Sequence, residues 1–135
     1  MKYNLAAVVI CIALHCSAAM AGTRLEENAQ KLVAQYLTAL THGDTEFLLD
    51  VIGGDLLESR RTLLQNPRYP SYLIEAYANA SVSVTGSRQL TANSVEVDVV
   101  IEKAVDEQFK LTFLVKAPSD KSEALRIVSE LDAKK

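Results

Sequence analysis

An α+β domain, with N-terminal helices packed on a curved antiparallel sheet, is expected from one change of hydrophobic period and from the order of the two halves it separates. From Leu25 to Leu64 apolar residues recur at steps of three and four, and from Val82 to Val115 they alternate with polar ones. The first spacing puts apolar side chains on one stripe of a helix, the second on one face of a half-buried strand. The connections between strands are too short for helical crossovers, so a meander is the economical topology, with the helices on one of its faces.

Taken in chain order, Thr23-Arg24-Leu25-Glu26 matches a capping box and should open a helix of about four turns. Its buried stripe is Leu25, Ala29, Leu32, Val33, Tyr36, Leu37 and Leu40. Thr41-His42-Gly43-Asp44 ends it, with Gly43 supplying a left-handed turn. Asp44 is positioned to cap a short second helix that buries Phe47, Leu48, Val51 and Ile52 and closes at Gly53-Gly54. Asp55 is then expected to cap a third helix, with Leu56, Leu57, Leu63 and Leu64 on one side, stopping before Asn66-Pro67. A fourth, short helix is expected from Ser71 to about Ala78.

Strands follow. Val82 and Val84 face inward in the first, Val95, Val97, Val99 and Ile101 in the second, and Phe109, Leu111, Phe113 and Val115 in the third. After a turn at Pro118 to Lys121, Leu125 to Leu131 should form the fourth, with Ile127 and its alternates inward.

Ahead of this domain, Met1 to Ala21 has the three parts of a secretory signal peptide. Lys2 gives a positive start, Leu5 to Leu14 an apolar run, and Ala19-Met20-Ala21 the small residues of a cleavage site before Gly22. The run is about half the ~20 residues that span a bilayer. Ile10 and His15 precede Cys11 and Cys16, where a lipid-modified cysteine normally follows a small residue. The expectation is a cleaved signal over 1–21 and a single domain over 22–135, periplasmic or secreted, with no membrane attachment after cleavage.

Cleavage is a chemical filter. Both cysteines and His15 leave with the signal, so no thiol nucleophile or disulfide remains, and His42 is the lone histidine. No metal site and no cofactor are expected. Acidic side chains outnumber basic ones 17 to 14, a balance that argues against nucleic acid as a partner.

The order of elements resembles the cystatin-like α+β roll of the nuclear transport factor 2-like superfamily. The residues that carry the resemblance are Ala34-Gln35-Tyr36-Leu37-Thr38-Ala39-Leu40 followed by Gly43-Asp44, then Tyr69 and Tyr77-Ala78 before the strands, and Leu125-Arg126-Ile127 in the last strand. Relatives often place Trp where this chain has Leu125, and the chain has no Trp. The Gln-x-Val-x-Gly loop of cystatin inhibitors is missing, so protease inhibition does not carry over. The resemblance implies an open end of the roll where ligands enter.

Among candidate site residues, Tyr36, Tyr69, Tyr72 and Tyr77 pack by the ring and offer hydroxyls to a ligand, with Phe113 as a floor. Arg61, in a cluster with Arg60 and Arg68, could clamp an anion. Two weaker candidates are catalytic. His42 could be oriented by Asp44 as a general base, although a helix C-terminus by itself favours a histidine there. Asp98 could act as a pocket base, although its parity with Glu96 and Glu102 places it on the outer face. The leading expectation is therefore a non-enzymatic domain that binds a small apolar ligand or a protein partner. An isomerase or lyase using pocket Tyr and Asp is the alternative, and a homodimer through Val100 and Leu114 on the outer sheet face is the third reading.

Overall fold

A computed structural model describes residues 24–104, 106–118 and 124–132. The segment 1–21 expected to be a signal, with its expected cleavage site, the expected capping residue Thr23 and most of the turn expected at Pro118 to Lys121 lie outside the described residues. Helix α1 occupies 24–42, followed by α2 (Thr45–Val51), α3 (Gly54–Leu64) and α4 (Tyr69–Ala76). Strands β1 (Ser81–Thr91), β2 (Ser94–Ala104), β3 (Glu107–Lys116) and β4 (Arg126–Asp132) form one open antiparallel sheet in the order β1-β2-β3-β4. The α+β architecture and the meander are as expected. Among the described residues no helix is long and apolar enough to cross a membrane.

Helix α1 lies on the inner face of the sheet. Ala29, Val33, Tyr36 and Leu37 are buried against Val95, Val97, Val99, Phe113, Val115 and Ile127, and Leu25, Leu32 and Leu40 pack around that core. The whole predicted stripe is thus used. Each Å² of apolar surface this contact removes from water stabilises the fold by about 25 cal/mol. Val100 and Leu114 sit half-buried on the opposite face, paired with Lys110 and Glu96 respectively.

The α1–α2 corner follows its glycine. Gly43 has φ +69°, and the amides of Gly43 and Asp44 bond back to Leu40 and Ala39 at 3.3 and 2.9 Å, the pattern of a Schellman turn. Asp44 then caps α2 by accepting from the Phe47 amide at 3.2 Å.

Four expectations need correcting. Asp55 is not the cap of α3. Gly53 takes that position because its amide is tied to the Ile127 carbonyl at 2.9 Å, which leaves Asp55 in the first turn, where its charge favours the helix dipole. Leu63 is 42% exposed rather than inward, since Leu56 and Leu64 define the buried side. Helix α4 starts two residues early, at Tyr69. An Asn66 side chain accepting from the Arg68 amide organises the entry, and Pro70 is tolerated in a first turn that needs no donor there.

The fourth correction concerns β4 and matters most. Val115 pairs with Ile127 but Leu114 pairs with Ser129, so Val128 is an extra residue in the ladder. This bulge reverses the parity beyond it. Ile127 is inward, as expected, yet Glu130 then takes the inner-face place beside Phe113, and Leu131 turns out to 63% exposure. A similar shift at Thr85 in β1 brings Ser87 to the register of Val97, where it bonds to Glu26 and Gln30 of α1 at 2.9 and 2.6 Å.

Candidate functional site at the open end of the sheet

The inner face is not sealed along its whole length. On β3, Phe113 and Val115 are fully covered, Leu111 is half-buried, and Phe109 is 47% exposed. The uncovered end is therefore built by β2 and β3 near Ile101 and Phe109, by the end of β4, and by the tyrosines of α4 and its exit.

Tyr36 reaches this region from α1, its ring packed edge-on to Phe113 at 5.5 Å between centroids. Its hydroxyl faces the carboxyl group of Glu130, delivered to the inner face by the β4 bulge, closely enough to favour the charged carboxylate. Arg60 approaches the same carboxylate from α3 at 3.6 Å. Tyr69 and Tyr72 stack on each other at 5.7 Å, and Tyr69 and Tyr77 lie within electrostatic reach of Glu130 and Arg60. Burial raises the pKa of the Glu130 carboxyl above the ordinary carboxylate range. Arg60 and the Tyr36 hydroxyl oppose that shift, while the charge of Asp132, two residues along β4, adds to it. Burial likewise raises Tyr36, Tyr69 and Tyr77, so their phenols stay protonated donors at neutral pH.

A raised carboxyl binds its proton more readily in the folded state than in the unfolded chain. Its stabilising contribution is complete below the unfolded pKa and is lost as pH rises through the folded value. The stability advantage of wild type over Glu130→Gln should accordingly shrink as pH rises from about 4 toward neutrality. Thermal midpoints of both proteins across that range check this, and an advantage that grows with pH would reverse the assignment.

The other side of Tyr77 borders an open hollow of about 140 Å³ lined by Tyr77, Ile101, Lys103, Phe109 and Leu111. The ammonium of Lys103 sits 4.6 Å from the Tyr77 ring centre and 5.5 Å from that of Phe109.

Of the residues singled out from the sequence, Tyr36, Tyr69, Tyr77 and Phe113 come together here, with Tyr72 at the exposed rim. Phe113 is fully buried, so it supports Tyr36 rather than presenting a surface. Arg61 does not join them. It pairs with Glu58 at 2.9 Å on the exposed side of α3, and Arg60 takes the inward place because it is four residues from both Leu56 and Leu64. Asp98 is exposed on the outer face and accepts from the Thr112 hydroxyl at 2.8 Å. His42 is exposed, its Nδ1 2.8 Å from the Thr38 carbonyl, which makes that nitrogen the donor and leaves Nε2 free. It lines a separate shallow groove with Lys31, Gln35, Asp44 and Phe47.

Glu130, Lys103 and Phe109 were not singled out. Phe109 was legible in principle, since it carries the inward parity of β3; Lys103 was not, because it is the extra residue where the β2–β3 register shifts. Among the described residues no three His, Cys, Asp or Glu side chains gather where they could share a metal ion. No protein-family model, no curated protein and no solved structure matches the chain.

Proposed function

We propose that the chain is an exported, non-enzymatic binding domain of the nuclear transport factor 2-like roll that takes a small apolar ligand at the open end of its sheet. The observation that carries this reading is the aromatic-walled hollow beside Tyr77, where Phe109 and Leu111 leave apolar surface uncovered at the end of an otherwise closed core. Concave, mostly apolar sites with a few polar groups are the usual form of small-molecule sites. The absence of enzymatic function is supported by how the acids are used. Glu130 is engaged by Tyr36 and Arg60, and Asp98 is turned to the outer face.

Benzyl alcohol, a neutral ring compound, is a suitable probe. Titration followed by NMR should shift the signals of Tyr77, Ile101, Phe109 and Leu111 saturably and leave Asp98, Val100 and Leu114 in place. Shifts on the outer face alone, or none at the open end, would overturn the reading.

A further inference from the structure

We propose that the hollow beside Tyr77 selects a small carboxylate with a ring-sized apolar body, the carboxylate pairing with Lys103. The inference rests on the open-end reading above and names the ligand class for that site.

Lys103 occupies an unexpected place. The β2–β3 register shifts between Glu102 and Ala104, so Lys103 is the extra residue of a bulge at the end of the inward row Val95, Val97, Val99 and Ile101, half-buried where an apolar side chain would close the hollow. Its stem follows the apolar surface and its ammonium rests over the Tyr77 and Phe109 rings. Among the described residues no carboxylate lies within ion-pair distance of it; Glu102, next in the chain, is bonded to Gln108 on the outer face. The cation is therefore positioned by ring quadrupoles instead of a counter-charge. An ammonium has three donors, and an aromatic face satisfies none of them as a carboxylate oxygen does.

The remaining walls are the ring of Tyr77 and the carbon side chains of Ile101, Phe109 and Leu111. A cavity of about 150 Å³ is enough for one benzene ring, which matches the 140 Å³ found here. One fixed cation at the lip of a ring-sized apolar hollow fits a benzoate-like anion. A cationic ligand would meet Lys103.

The test compares benzoate with benzyl alcohol, which share the ring and differ in charge, by NMR at Ile101, Leu111, Tyr77 and Phe109. Benzoate should bind more tightly, on the order of fivefold, the worth of one partly exposed ion pair. Lys103→Met should abolish that preference while retaining benzyl alcohol, and Lys103→Arg should restore it. Equal affinity of wild type for the two compounds, or a preference that survives Lys103→Met, would overturn the carboxylate assignment and leave the open-end reading standing. Failure of both compounds to shift these signals would remove both. The wild-type comparison decides the matter even if a Lys103 variant does not fold.

Discussion

Gly43→Ala is expected to destabilise the domain by at least about 2 kcal/mol, for two separable reasons. A left-handed backbone costs an L-residue roughly 1–2 kcal/mol, and Gly43 has φ +69°. A Cβ there would also lie 2.6 Å from the Pro70 carbonyl oxygen, and that oxygen belongs to backbone and cannot rotate away. Relief requires α4 to move off the end of α1, carrying Tyr69 and Tyr72 with it. Gly54 supplies the control. Its φ is +59°, but an added Cβ would meet only the Val128 side chain at an ordinary 3.8 Å. Gly54→Ala should show the conformational cost alone, and chemical denaturation of the two variants measures the difference. Equal losses would remove the close approach to Pro70 from the account.

The helical half of the fold was legible because its signals are local. A stripe at 3.6-residue spacing, a glycine after the last apolar turn and an aspartate before the next one act within a few residues, and α1, the Gly43 turn and the Asp44 cap all form where the sequence places them. Strands β2 and β3 were legible for the same reason, through strict alternation. What alternation cannot reveal is an inserted residue. Nothing in Arg126-Ile127-Val128-Ser129-Glu130-Leu131 marks Val128 as a bulge, and its cause is tertiary: Ile127 is held on one side by Val115 and on the other by the α2–α3 connection through Gly53. Without the bulge Leu131 would be a core residue and Glu130 a surface acid.

The site inherits that asymmetry. Its tyrosines could be named from the sequence because the chain has only five. Their charged partners could not, because one depends on the bulge and the other on a rotation of about 100° between adjacent helix positions. Arg60 and Arg61 differ in nothing but that rotation, yet only Arg60 shares the side of α3 that buries Leu56 and Leu64.

Phe113→Ala is expected to cost about 3–5 kcal/mol, the range for removing a fully buried aromatic ring. Phe113 is 0% exposed, sits between Val97 on β2 and Glu130 on β4, and holds the Tyr36 ring edge-on. Its removal takes a large share of the 5–15 kcal/mol that stabilises an ordinary domain. The loss should extend to the open end, since Tyr36 would be freed from its packing and with it the hydroxyl that helps keep the Glu130 carboxyl ionised. The folded fraction should therefore show Glu130 titrating at a pH displaced from that of wild type. Phe113→Leu, which fills most of the volume, should lose much less stability and return the Glu130 titration toward its wild-type position. Urea denaturation and carboxyl NMR on the three proteins check both statements. A loss below about 1 kcal/mol for Phe113→Ala would mean that the core closes over the missing ring, and an unmoved Glu130 titration would mean that Tyr36 is placed by α1 alone.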